Sequence, residues 1–201
     1  MMPQDEATLE LVIGSRICHD LASPLGAVAN GLELLTLSGM GDSAELALVQ
    51  DSLRGAKAVL DISRIAYGHP ASGEQMGADA LQTLATAYYA GKPRLTLDWQ
   101  LSGTQSRARA QIILLACLAA EQAVPRGGTL AVEGDIETVR ITARGTTPTP
   151  DLDLWDAIAA KTPLREPDPR QAHFHMLRRC LAAQELSLTT RLDPDAFVIE
   201  I

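Results

Sequence analysis

At 201 residues and 46% hydrophobic, the chain has room for one ordinary domain or two small ones, with enough apolar side chains for a core. A net charge of −8 and 3% aromatic residues argue against a nucleic-acid partner, which needs clustered Lys and Arg or stacking platforms. Cys18, Cys117 and Cys180 show no disulfide or zinc spacing, acids (Asp5, Glu6, Glu10) stand where a signal peptide carries basic residues, and no apolar run nears the ~18 residues of a membrane span, so a soluble cytoplasmic protein without membrane or metal is expected.

From about Ala7 to Leu37 the apolar residues follow a seven-residue repeat: Leu11, Cys18, Leu25 and Leu32 form one row, and Gly14, Leu21, Val28 and Leu35 a second, three positions later. Such a seam predicts a long helix packed in a bundle. Ser38-Gly39-Met40-Gly41 breaks it, and Asp42-Ser43-Ala44-Glu45 has the spacing of a capped helix start. A second helix to about Tyr67 carries rows Leu46, Leu53, Leu60, Tyr67 and Val49, Ala56, Ser63. Two helices joined so closely must be antiparallel, and a lone hairpin buries too little apolar surface, so a two-fold homodimer forming a four-helix bundle is expected.

The turn-rich segment Gly68-His69-Pro70-Ala71-Ser72-Gly73 marks a boundary, dividing the chain into units 1–70 and 74–201. In the second unit helices are predicted over 78–90, 106–124, 152–161 and 170–184. Strands are predicted over 94–101, 129–133, 138–143, 186–192 and 197–201, with Gly134-Asp135 as a hairpin turn. The expected fold class is α + α/β, a helical hairpin followed by an α/β sandwich with helices on one face of a mixed sheet.

In the heptad register His19, Asp20 and Ser23 point away from the seam. A histidine near pH 7 is largely neutral and keeps a nucleophilic ring nitrogen, so an outward one on a rigid helix can take up a phosphoryl group and pass it on. Asp20 can hold one ring nitrogen and fix the tautomer, and Ser23, one turn on, can position a phosphoryl oxygen or a water. Pro24 deletes the hydrogen bond to the Asp20 carbonyl and loosens the helix beside the nucleophile. The small residues Ala22, Gly26 and Ala29, with Asn30, clear the same face for a partner, and Arg16 offers positive charge to a phosphoryl group. Cys18 faces the seam, which removes the Cys18-His19 pair as a metal site. His173 and His175 fall on a predicted helix as surface or packing residues, and His69 lies in the connection.

His19-Asp20-Leu21-Ala22-Ser23-Pro24-Leu25 resembles the H-box of sensor histidine kinases: His, acid, Leu, any residue, Thr/Ser/Asn, Pro, Leu. The extension Gly26 to Leu35 and the Ala66-Tyr67-Gly68 close of the second helix make the chain more similar to ChpT-type bacterial histidine phosphotransferases. This resemblance implies that the second unit is a degenerate relative of the kinase ATP-binding domain. Kinases of this kind use an Asn-bearing helix for Mg²⁺, an Asp-x-Gly loop for adenine and a Gly-rich loop for the phosphates. The corresponding stretches here, Leu114 to Glu121, Arg144-Gly145-Thr146-Thr147 and Leu164 to Pro169, lack the Asn, the Asp and the Gly respectively.

The expected function is therefore a histidine phosphotransferase in a bacterial phosphorelay, binding no cofactor of its own and not labelling itself from ATP. His19 accepts the phosphoryl group from the phospho-Asp of a receiver domain, such as that of a hybrid histidine kinase, and donates it to the Asp of a response regulator. Mg²⁺ is supplied by the partner receiver. An ATP-dependent kinase, a response-regulator phosphatase resting on Ser23, and an inert dimerisation scaffold are the alternatives.

Overall fold

The computed structural model describes the backbone of residues 4–38, 44–166 and 168–201, and the side chains in these ranges other than 4–16, 18, 19 and 36. The expected Asp42 cap and the Gly39-Met40-Gly41 break lie outside the described residues.

Helices α1 (Gln4–Ser38) and α2 (Ala44–Tyr67) form the hairpin. Gly31, late in α1, lies against Val49 and Glu45, early in α2, so the two run antiparallel. A Cβ at Gly31 would stand 2.3 Å from Val49 Cγ2 and 3.3 Å from the Glu45 carbonyl, so only glycine permits this approach.

The two heptad rows separate. Val49, Ala56 and Ser63 of α2 are buried and Leu21, Val28 and Leu35 of α1 half-buried, closing the hairpin, whereas Leu25, Leu32, Leu53 and Leu60 are each 51–53% exposed. In both helices the open leucine stands four residues after a residue of the closed row: Leu21 to Leu25, Val28 to Leu32, Val49 to Leu53, Ala56 to Leu60. A two-fold axis normal to the hairpin plane exchanges antiparallel helices, so the two leucine rows open on the same face.

The chain continues through β1 (Gln75–Gly77), α3 (Ala78–Tyr89), β2 (Leu95–Leu101), β3 (Thr104–Ser106), α4 (Arg107–Ala120), β4 (Gly128–Gly134), β5 (Val139–Arg144), α5 (Leu152–Ala159), α6 (Ala172–Ala183), β6 (Thr189–Leu192) and β7 (Ala196–Glu200). The main sheet has order β2-β4-β5-β7-β6, with β2 and β4 parallel and the other pairs antiparallel. The crossover between the parallel strands contains α4, as such a connection requires. At the β4–β5 turn the Asp135 carboxylate accepts the Glu137 and Thr138 amides at 2.8 and 3.1 Å, which holds its pKa below the usual carboxylate value.

Alternation along the strands puts Leu130, Val132, Ile141, Ala143, Phe197 and Ile199 inward, all fully buried. On the opposite face the cross-strand neighbours Glu133, Arg140 and Glu200 form an exposed ion-paired ladder, Arg140 lying 2.7 Å from Glu200. Trp155 of α5 anchors the core against Phe174 and Phe197, with ring centroids 5.1 and 5.3 Å away. Helix α4 is buried at every position from Ala110 to Ala120, all of them apolar except Gln111. Ile62 and Ala66 of α2 belong to the same hydrophobic cluster as α4 and the sheet, so apolar packing is continuous from the base of the hairpin into the sandwich.

Two expectations need adjustment. The strand predicted over 186–192 begins only at Thr189, because the chain first leaves α6 through Glu185 at φ 54°. A small second sheet, β1 against β3, was absent from the sequence reading, since three residues are too short to carry a period.

Candidate functional site

His19 lies mid-way along α1, which continues unbroken through Pro24. The side chains of His19, Arg16 and Cys18 fall outside the described residues, so the ring, the guanidinium and the seam-facing thiol inferred from the heptad receive no geometry. The antiparallel register set at Gly31 and Val49 brings His19 level with about residue 61 of α2.

What surrounds the His19 position on α1 is described. Ala22, Ser23, Gly26, Ala29 and Asn30 are all exposed, Asp20 and Pro24 half-buried. A Cβ built at Gly26 meets nothing within 4 Å, so no packing inside the chain requires glycine there. One helical face thus carries a hydroxyl, an amide and otherwise only small side chains over about three turns beyond His19.

The sandwich stands beside this helix. α6 and the 3-10 turn Pro169–Gln171 before it contact α1. The connection leading there is tied to its own surroundings: Arg165 binds Asp151 and reaches Gln171, Asp168 accepts the Arg170 amide at 2.7 Å, and Gln122 donates to the Arg170 carbonyl at 2.8 Å. After β5, Gly145 is closed against the 124–127 segment, where a Cβ would lie 3.0 Å from Val124 Cγ1. Of the remaining histidines, His173 is buried against Phe174, His175 half-buried and His69 exposed, matching the packing and surface places expected. Among the described residues no group of three His, Cys, Asp or Glu side chains could hold a metal ion, and no helix is long and apolar enough to cross a membrane.

Three residues escaped the sequence reading. Gly31, given no role from the sequence, is buried where α1 meets Val49 of α2. Arg107 and Gln111 are 4% and 2% exposed and bind the end of α2. Their residue types carried no distinguishing signal, because Arg109 stands in the same turns and the partners are backbone carbonyls distant in sequence.

A helical hairpin carrying His19 on a helix with a face of small exposed side chains, joined to an α/β sandwich around a largely apolar central helix, is the architecture of a protein that carries a phosphoryl group. Comparison gives the family: the histidine phosphotransferase C-terminal domain matches residues 78–196, and the chain belongs to the histidine phosphotransferases. It is 33% identical to the protein phosphotransferase ChpT of Brucella abortus (strain 2308), over 99% of both chains. A solved bacterial phosphotransferase aligns at TM-score 0.82 with 27% identity, covering 99% of this chain and 98% of the other.

Proposed function

We propose that His19 is the phosphoryl carrier of a multistep phosphorelay, loaded from the phospho-Asp of a receiver domain and unloaded onto the Asp of a response regulator. The observation that carries this reading is the exposed face of Ala22, Ser23, Gly26 and Ala29 beside His19. A receiver's phosphorylated loop can reach the ring only where side chains on the helix are small. In the loading step a ring nitrogen bonds to phosphorus as the bond to the receiver carboxylate breaks. Asp20 holds the proton on the other nitrogen, and Ser23 steadies a phosphoryl oxygen. Such transfer is mainly positioning and charge neutralisation around a loose transition state. The receiver brings the Mg²⁺, and Arg16 adds positive charge from this chain.

The active species is a homodimer. Four half-exposed leucines on one face of the hairpin, Leu25, Leu32, Leu53 and Leu60, suit the seam of a four-helix bundle between two copies. The units 1–70 and 74–201 divide the work, the first carrying the phosphoryl group and the second flanking the docked receiver. The second is a degenerate ATP-binding domain that takes no nucleotide. Support comes from α4, whose residues from Leu114 to Ala120 are buried and include no Asn, and from Arg165 and Asp168, which are engaged in bonds within the sandwich.

The test is to incubate the purified protein with radiolabelled ATP and, separately, with a labelled phospho-receiver. Label is expected from the receiver alone, and none in His19→Ala. Labelling by ATP alone would instead make the chain a kinase, and a labelled His19→Ala variant would remove His19 from the role.

A further inference from the structure

The end of α2 presents the carbonyls that every helix leaves without intrahelical donors. Here they are met by side chains of α4. Arg107 Nη2 donates to the Arg64 carbonyl at 3.1 Å, and Gln111 Nε2 donates to those of Ala66 at 2.9 Å and Gly68 at 3.0 Å. The Arg107 amide donates to the Glu74 carbonyl at 2.9 Å, and the Arg107 guanidinium stands 4.0 Å from the half-exposed Glu74 carboxylate. Gly68 completes the joint: a Cβ there would lie 2.2 Å from the Arg64 carbonyl, so only glycine lets the chain fold back over the helix end. The negative end of the α2 dipole thus meets the first turn of α4, with a cation between them.

This is a poor way to gain stability. A guanidinium stays charged in proteins, and burial here pushes its pKa down despite Glu74. A buried ionic pair is commonly replaceable as a whole by apolar residues of similar shape, but here the acceptors are backbone carbonyls that no substitution removes. What the three directional bonds do, and an apolar contact would not, is set the angle between hairpin and sandwich. Ile62 and Ala66 supply the adhesion and the clamp supplies the register.

Resting on the reading of His19 as carrier, we propose that Arg107 and Gln111 are positioning residues of the phosphotransfer reaction. They hold the sandwich at a fixed angle beside α1, so that one receiver orientation satisfies both units at once. They touch neither the phosphoryl group nor the receiver. Their effect lies in the sandwich surface that the receiver meets while its aspartate is at His19.

The experiment uses the full-length Arg107→Met/Gln111→Leu protein, with phosphoramidate as a small-molecule donor to histidine and a phospho-receiver as the protein donor. The variant should lose several degrees of thermal midpoint, because three carbonyls lose their donors, yet stay folded at the assay temperature and take label from phosphoramidate at the wild-type rate. Its kcat/KM with the receiver should fall by roughly 10–100-fold, the range that misplacement far from the chemistry costs, chiefly through a raised KM. Small-angle scattering should show a broader distribution of hairpin-to-sandwich distances, and Arg107→Lys, which keeps one donor, should recover part of the receiver rate. An unchanged scattering profile and unchanged receiver KM in the folded variant would overturn the proposal. If the wild type takes no label from phosphoramidate, the His19 reading fails while scattering still decides the clamp. If the double variant does not fold, Gln111→Leu alone, which loses two of the three bonds, is judged by the same criteria.

Discussion

Gly26→Ala separates what α1 needs for itself from what it offers a partner. A glycine inside a helix costs about 1 kcal/mol relative to alanine through backbone entropy. At Gly26 the added methyl meets no atom within 4 Å, so nothing opposes the gain. For a chain of this size that free energy corresponds to a rise in Tm of about 2–4 °C. Gly31→Ala, five residues on, is the internal control, because its methyl would stand 2.3 Å from Val49 Cγ2, a stiff β-branched side chain that is itself buried. Overpacking of this kind costs roughly 1–3 kcal/mol and should cancel or exceed the helical gain. Calorimetry of the two variants should therefore give shifts that differ in sign or by several degrees, while transfer from a phospho-receiver should fall for Gly26→Ala despite its greater stability. A Gly26→Ala protein less stable than wild type would refute the open-face geometry. One both more stable and fully active in transfer would show that the cleared space is not used.

The remaining predictions follow from single sites. Leu53→Lys should dissociate the proposed dimer, because a half-exposed leucine contributes about 1 kcal/mol on burial and the two-fold axis counts it twice, weakening association about 30-fold; light scattering at low micromolar concentration should show the monomer mass. Trp155→Ala removes a fully buried ring touching Phe174 and Phe197 and should cost about 3–5 kcal/mol in urea unfolding. Burial, with Arg178 and Arg165 nearby, pushes the His175 pKa below its usual 6.5. The unfolded chain therefore binds the proton first, so stability present above pH 6.5 is lost as pH falls toward the folded value. His175→Gln should flatten that part of the stability profile, and an unchanged slope between pH 7 and 5 would contradict it.

The helices and the longer strands were legible because their signals are local. Four heptads announce α1, alternation in Leu95, Leu97, Trp99 and Leu101 announces β2, and Gly134-Asp135 announces the turn. The exposure of Ala22, Ser23, Gly26, Ala29 and Asn30 was legible for the same reason, since helical spacing alone puts them on one face. Heptad arithmetic was silent on which apolar row closes the hairpin and which stays open, because Leu21 and Leu25 are the same residue type in neighbouring rows. It also could not distinguish Gly26 from Gly31, one facing open space and the other Val49, since that difference arises only when a second helix arrives. Arg107 and Gln111 were hidden likewise: their partners are backbone carbonyls more than forty residues away, which no side-chain pattern records.

Helix α4 has a consequence for how the chain reaches its fold. Ile112 to Ala120 is nine apolar residues without a charge, every one buried in the finished protein. Its shelter requires β5, α6 and β7, and all three elements are made after it. Until they arrive the helix has no solvent-compatible side to show, and such a stretch is prone to aggregation at ordinary concentrations. The run is bracketed by Arg107 and Arg109 on one side and Glu121 on the other, charges placed where gatekeepers against self-association belong. Glu121 also pairs with Lys92 at 2.6 Å in the native state, so the gatekeeper becomes part of the finished wall once folding is complete.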